Sequence, residues 1–146
     1  MEEAARVLAD VKFVSAECNL LLERAALHFA LRRDDEAMET YWQALQMQRP
    51  LGDRTREAAV YTGLGRILVR LGRCQEALDF HEQAVSIRSK HPDAYLLAEA
   101  LSYLAEALAS LGHAPRASSV RREAVALLEA FDDPRATMLR ESLEPD

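Results

Sequence analysis

A repeat with a period of 40 residues is the feature that most restricts how this 146-residue chain can fold. The same residue types recur at matching positions of the repeat: Leu31, Leu71 and Leu111; Ala37, Ala77 and Ala117; Ala44, Ala84 and Ala124; Asp53, Asp93 and Asp133. One unit of this length cannot bury its own apolar face, so successive units have to stack on one another. The sequence therefore predicts a row of similar units with a continuous core.

Each unit is predicted to consist of two amphipathic helices joined by a tight turn. In the second unit Leu64, Leu68 and Leu71 fall at helical spacing, and Gly72 follows them where a helix commonly ends. The recurring aspartates precede helical stretches, as N-cap residues do. The chain contains 25 alanines and only ten residues of Gly and Pro, which also favours helix.

Small side chains are predicted where the two helices of a unit touch. First-helix positions Ala25, Gly65 and Ala105 face second-helix positions Ala37, Ala77 and Ala117. Because these residues have little or no side chain, the two helix axes can approach closely.

The repeat resembles the tetratricopeptide repeat (TPR) family, in a form longer than the standard 34-residue unit. In the second unit the resemblance rests on Tyr61, Leu64, Gly65, Leu68, Gly72, Ala77, Ala84 and Ile87. In the third unit it rests on Leu101, Leu104, Ala105, Leu108, Gly112, Ala117, Ala124 and Leu127. The first unit departs from the pattern with Arg24 and His28 at leucine positions and Arg32 in place of the turn glycine.

A second resemblance concerns the end of the chain. Residues Leu128–Leu143 are similar to the last segment of the TPR region in bacterial transcriptional activators of the SARP type, and long TPR units also occur in STAND-type regulators. This resemblance implies a regulatory or sensor segment of a larger bacterial regulator.

The TPR resemblance implies an all-α fold, namely a right-handed α-solenoid of antiparallel helix pairs with about three full repeats and partial terminal helices. Within a single domain, 1–146, we expect a partial repeat or N-terminal cap helix at 1–14, repeats at 15–52, 53–92 and 93–132, and a C-terminal capping helix at 133–146. Residues 1–8 align with second-helix residues 81–88, so the chain begins inside a repeat. It is either cut from a longer array or starts with a capping helix.

Charge and composition exclude several classes of function. A net charge of −6 argues against an electrostatic grip on nucleic acid or anionic membranes. The sequence has no apolar run long enough to span a bilayer. Cys18 and Cys74 lie 56 residues apart, which fits neither a disulfide framework nor a zinc site. We therefore expect a cytoplasmic protein.

Motifs that would indicate chemistry are incomplete. His81-Glu82 begins like a zinc-protease helix, but Val85 stands where the second imidazole is needed, so His81 is predicted to be partly buried between helices. Gly63-Leu64-Gly65 begins like a dinucleotide fingerprint, but Leu68 replaces its third glycine, so these glycines are predicted to serve helix packing. The sequence predicts no catalytic residue, no cofactor site and no metal site, and therefore not an enzyme.

By the register of the TPR family, the first helices line a concave groove that binds protein or peptide segments. The implied groove residues are Asn19, Leu22, Glu23, Phe29, Thr62, Arg66, Val69, Arg70, Glu99, Ser102, Tyr103 and Glu106, with Ala26, Ala59, Gly63 and Ala109 between them.

The implied groove carries mixed chemistry. Arg66 and Arg70, one helical turn apart, suit a carboxylate or phosphate of a partner. Phe29 and Tyr103 offer apolar anchors, whereas the groove glutamates favour a basic segment. No groove lysine is present, which disfavours a chaperone C-terminal tail.

The sequence thus predicts a peptide-binding module within a larger regulator. The alternative is a stand-alone adaptor or assembly scaffold that self-associates into a homodimer through its end repeats.

Overall fold

The computed structural model describes residues 1–144 and consists almost entirely of helix in that part of the chain. The helices are α1 (Glu2–Ala30), α2 (Asp34–Gln48), α3 (Arg54–Arg70), α4 (Cys74–Arg88), α5 (Ala94–Ser110), α6 (Ala114–Leu128) and α7 (Pro134–Leu143), with a short 3₁₀ helix at Arg49–Leu51. The predicted all-α fold is confirmed. Pro145 and Asp146 of the predicted capping segment lie outside the described residues.

The 40-residue period reappears in the helix boundaries. Helices α2, α4 and α6 begin and end 40 residues apart, and so do α3 and α5. The recurring aspartates act as the predicted N-caps. Asp93 accepts a hydrogen bond from the Leu96 backbone N–H at 3.0 Å, and Asp133 accepts one from Arg135 at 2.9 Å. These side chains satisfy backbone donors that have no partner inside the helix.

The turns within the helix pairs share one geometry. Gly72 and Gly112 have φ of 76° and 81°, and Arg32 takes the same left-handed conformation with φ of 61°. After α3, the N–H of Arg73 donates to the Leu68 carbonyl at 2.8 Å. This bond is the one that defines the glycine-type helix ending predicted from the sequence. In the first turn an arginine adopts a conformation that favours glycine.

The helix pairs stack in chain order into an α-solenoid. Pairs α1–α2, α3–α4 and α5–α6 pack internally, and α2 and α4 pack on the first helix of the following pair. The first helices also contact each other, α1 with α3 and α3 with α5, and α7 packs on α5 and α6. This order places the first helices together on one face, which we call the inner face.

Residues 2–14 form the first part of a long helix and are not separated from the first repeat by a turn. α1 is one helix of 29 residues that runs through residues 2–14 without a turn. Residues 2–14 contain no Gly, no Pro and no residue with positive φ, and helical hydrogen bonding runs through them. Although α1 is long, none of the helices in residues 1–144 combines the length and the apolar character needed to cross a membrane.

Candidate functional site

A pocket of about 380 Å³ lies on the inner face, where α1, α3 and α5 meet α4. We call it the groove pocket. Its lining residues are Phe29 from the end of α1, Arg32 from the turn after it, Arg66, Val69 and Arg70 from α3, His81 from α4, and Tyr103 and Glu106 from α5. Three arginines and one glutamate line it, so the pocket favours negative charge.

Arg66 lies at the centre of the groove pocket between two aromatic rings. Its guanidinium carbon is 4.6 Å from the ring centroid of Phe29 and 4.7 Å from that of Tyr103. Cations over aromatic faces are stabilised by the ring quadrupole, so the two rings fix the position of this guanidinium. Within residues 1–144 no carboxylate lies within 4.0 Å of Arg66 to form an ion pair.

Arg70, one turn further along α3, is engaged within the chain. Its Nη1 donates to Asp34 Oδ1 at 2.7 Å and to the Phe29 carbonyl oxygen at 2.9 Å. Its guanidinium carbon also lies 3.6 Å from the Phe29 ring centroid. These bonds join the end of α1 to the start of α2, so Arg70 closes a structural contact, whereas Arg66 forms no ion pair within residues 1–144.

Two glycines of α3 allow close packing of aromatic rings from the second helices. A Cβ on Gly63 would overlap the Tyr41 ring, and a Cβ on Gly65 would overlap the His81 ring. Both glycines are buried, which confirms their predicted packing role. Gly63 was also expected to face the groove, but the Tyr41 ring covers it, because a residue without a side chain lets α2 approach α3 at this point.

His81 is almost completely buried, with 1% of its surface exposed, although it was predicted to be only partly buried. Its ring stacks on Tyr103 with centroids 6.0 Å apart, and neither ring nitrogen has a hydrogen-bond partner within residues 1–144. Burial, together with the nearby positive charge of Arg66, lowers the pKa of His81 from 6.5 to about 4. The imidazole is therefore neutral at physiological pH.

Burial also affects the phenols around the pocket. It raises the pKa of Tyr103 and of Tyr41, while the positive charge of Arg66 opposes the rise in both. Both phenols therefore stay neutral and can act as hydrogen-bond donors near the guanidinium.

A second pocket, of about 400 Å³, continues along the inner face beside α5. It is lined by Glu99, Ser102, Tyr103, Glu106, Arg121, Leu139, Ser142 and Leu143. Tyr103 and Glu106 border both pockets, so the two form one groove. Two glutamates and one arginine line this second part, and the groove changes from positive at Arg66 to negative at Glu99 and Glu106.

The structure brings eight of the twelve predicted groove residues into these two pockets: Phe29, Arg66, Val69, Arg70, Glu99, Ser102, Tyr103 and Glu106. The other four do not line them. The Asn19 side-chain oxygen accepts a hydrogen bond from Arg56 Nε at 2.8 Å, and Thr62 donates to the Ala58 carbonyl. Leu22 packs against the core, and Glu23 is exposed on α1.

The sequence interpretation did not place Arg32, His81 or Arg121 in the groove. Arg32 occupies the turn after α1 with a left-handed backbone, and it lines the pocket. The signal for His81 was Gly65, because a glycine at a helix contact leaves room for a bulky group on the facing helix. A larger cavity of about 730 Å³ between α6 and α7 contains none of the twelve predicted residues.

Comparison with protein families gives one match. The family model described as tetratricopeptide repeat matches residues 16–90, which is half of the chain. No curated protein matches the chain significantly.

Solved structures with similar folds extend the match over most of the chain. The TPR domain of Arabidopsis FLU has a TM-score of 0.73 at 24% identity, covering 81% of this chain and 99% of that one. A TPR-like protein from Chlorobium tepidum has a TM-score of 0.74 at 19% identity, covering 91% and 93%. The first TPR of Spaghetti (RPAP3), bound to the HSP90 peptide SRMEEVD, has a TM-score of 0.65 at 19% identity, covering 88% and 94%.

Proposed function

Because the chain belongs to the tetratricopeptide repeat family, we propose that it is a protein-binding module without catalytic activity, whose inner-face groove holds an extended peptide. The observation that carries this proposal is Arg66, a guanidinium held between two aromatic rings with no ion-pair partner within residues 1–144. An acidic side chain of the peptide would supply that partner.

The surroundings of Arg66 favour a carboxylate ligand. The rings of Phe29 and Tyr103 shield the guanidinium from part of the surrounding water, and a charge-assisted hydrogen bond is stronger where water is scarce. The neutral imidazole of His81 carries one N–H that lacks a partner and lines the same pocket. Arg70 contributes little free charge because Asp34 already pairs with it.

The change of charge along the groove favours a basic side chain further along the same peptide. Glu99 and Glu106 lie on α5, the first helix next to α3 on the inner face. Packed helices lie about 8–10 Å apart, and an extended chain advances about 3.3 Å per residue. We therefore propose a ligand in which an acidic residue and a basic residue are three positions apart.

The Spaghetti structure supports a peptide ligand with acidic residues, because that similar fold is bound to such a peptide. The cation proposed to bind the acidic side chain in this chain is an arginine. The groove contains arginine and no lysine, so we propose a planar guanidinium contact and not the lysine-based clamp of chaperone-binding TPR domains.

A titration of designed peptides tests the proposal. An end-blocked peptide with Glu and Lys three positions apart should bind more tightly than the same peptide with Gln in place of Glu. Arg66→Gln should weaken binding of the Glu peptide on the order of 10- to 100-fold, the range for a lost hydrogen bond to a charged group. Arg122→Gln, an exposed arginine on α6, serves as the matched control and should leave the affinity unchanged. Equal binding of the two peptides, or no effect of Arg66→Gln, would contradict the proposal.

We also propose that the module is a cytoplasmic regulatory segment of a larger bacterial regulator. Support comes from the resemblance of Leu128–Leu143 to the TPR region of SARP-type activators. In that setting, groove occupancy would bias the larger protein between a resting and an active state through differential affinity. The genomic reading frame tests this: a DNA-binding or nucleotide-binding domain in the same frame is expected, and a frame that encodes these repeats alone would contradict it.

A further inference from the structure

The outer face of α1 exposes large apolar side chains that have buried counterparts in the other repeats. Leu20 is 64% exposed and Leu27 is 59% exposed. Forty residues later Val60 and Ile67 are both 0% exposed, because the preceding repeat packs on that face of α3. Helix α1 thus has an apolar face that no other part of residues 1–144 covers.

This apolar face forms a straight stripe along α1. Phe13, Leu20 and Leu27 recur every seven residues, Ala16 lies between Phe13 and Leu20, and Ala9 lies one turn before Phe13, all exposed. A seven-residue apolar repeat is the pattern by which two long helices pair along their length, and alanine between the large residues allows a close approach. The second helices of this chain are only 15 residues long. A helix of that length would cover the part of α1 that corresponds to α3, and Ala9 and Phe13 lie outside that part. A partner helix as long as α1 matches the stripe better.

Arg24 defines the charge that the partner has to supply. Its counterparts Leu64 and Leu104 are 1% and 5% exposed, so this position is covered in the other repeats. A partner lying on the same face of α1 would bury part of a guanidinium, which requires a carboxylate beside it. Glu17 lies two turns before Arg24 on the same edge of α1. In a second α1 that runs antiparallel to the first, Glu17 would provide this carboxylate.

We propose that two copies of this chain associate through the stripe formed by Ala9, Phe13, Ala16, Leu20 and Leu27, with their α1 helices antiparallel. The two-fold axis passes near Leu20, and Glu17 of each copy lies beside Arg24 of the other. Neither side chain forms an ion pair within residues 1–144, so both remain available for this contact. The interface is isologous, with each copy presenting the same patch, and it leaves the inner-face groove open.

Sedimentation equilibrium of the full chain tests the association. The expected mass is twice the 16.4 kDa of one chain, and the double variant Leu20→Glu, Leu27→Glu should sediment as a monomer. Met138→Glu changes an equally exposed apolar residue on α7 and should remain dimeric. Circular dichroism of each variant verifies that it is folded. A monomer at every concentration, or a dimer that survives the double substitution in α1, would overturn the proposal.

Charge reversal tests the antiparallel geometry. Glu17→Arg alone and Arg24→Glu alone should each raise the dimer dissociation constant several-fold, and the two together should restore it, since the pair is then re-formed with opposite signs. If the double reversal binds no better than the single ones, the antiparallel pairing is wrong. Because the stripe and the groove lie on different faces, peptide affinity should stay unchanged in all of these variants.

Discussion

A single buried histidine links the packing of the solenoid to the chemistry of its groove. The His81 ring fits against α3 only because Gly65 has no side chain, and it stacks on Tyr103, which also flanks Arg66. The ring nitrogens have no partner in residues 1–144, so protonation would place an uncompensated charge in the core beside Arg66. The neutral form of His81 is therefore part of the folded structure.

The stability of the protein should depend on pH through His81. Its pKa is 6.5 in the unfolded chain and about 4 in the folded protein, so the unfolded chain binds more protons between these values. The free energy of unfolding should be unaffected by His81 above pH 6.5. It should decrease by about 3 kcal/mol as the pH falls to about 4. Urea denaturation at a series of pH values measures this loss.

The variant His81→Leu is the control for that series, because leucine does not titrate. The stability difference between the natural chain and His81→Leu should change with pH across this window. A difference that stays constant from pH 7 to pH 4 would show that His81 does not titrate as the structure requires.

At the residue scale, the sequence predicted which side chains line the groove better than it predicted which of them are already paired within the chain. The register of the TPR resemblance placed Arg66 and Arg70 on the groove face, and both line the groove pocket. It had no means of distinguishing them, because the Asp34 that pairs with Arg70 lies 36 residues away in sequence. The same holds for Asn19, whose partner Arg56 comes from the next repeat.

At the scale of the elements, the recurrent caps explain why the helices begin and end at fixed intervals. Asp at the start of α3, α5 and α7 and a left-handed residue after α1, α3 and α5 are both local signals. Each acts through hydrogen bonds to backbone groups a few residues away, so the sequence was sufficient to predict the aspartate caps and the glycine turns, whereas it gave no sign that Arg32 would adopt the same conformation.

Arg32→Gly should stabilise the first turn. A left-handed backbone costs a residue with a Cβ roughly 1–2 kcal/mol, and glycine avoids this cost while losing roughly 0.5–1 kcal/mol through its greater freedom when unfolded. We expect a net gain of about 0.5–1 kcal/mol in the free energy of unfolding, measured by urea denaturation.

The reverse change in the second turn is the matched control for this prediction. A Cβ at Gly72 would meet no atom within 4 Å, so Gly72→Ala should destabilise the chain through backbone conformation alone. A loss of stability in Arg32→Gly would mean that the arginine side chain contributes more than its backbone costs.

The first helix is the element on which the sequence pattern and the structure differ most. Residues 1–8 carry the apolar positions of a second helix, yet they continue α1 without a turn. The register comparison aligned residues 1–8 with second-helix residues 81–88, whereas the local sequence has no Gly or Pro around residue 10. With no residue to end the helix, its hydrogen bonding continues.

At the scale of the whole molecule, the solenoid assembles the groove from residues on α1, α3 and α5. Phe29 lies 37 residues before Arg66 and Tyr103 lies 37 residues after it, and both ring centroids are within 5 Å of the Arg66 guanidinium carbon. The repeat predicted that the three helices stack in order, but it did not predict that the two rings flank Arg66, because positions 37 residues apart are not equivalent in a 40-residue repeat. Nor did it predict that His81 from a second helix lines the pocket, a position that the missing side chain of Gly65 leaves free.

The central claim is that the inner face formed by the first helices is the binding face, with Arg66 at its centre. Backbone amide chemical shifts of the ¹⁵N-labelled chain, recorded while the Glu–Lys peptide is added, test this directly. We expect the largest changes at residues 62–70 of α3 and 99–106 of α5, and their loss in Arg66→Gln. Changes concentrated on α2, α4 and α6, or in the cavity between α6 and α7, would contradict the account.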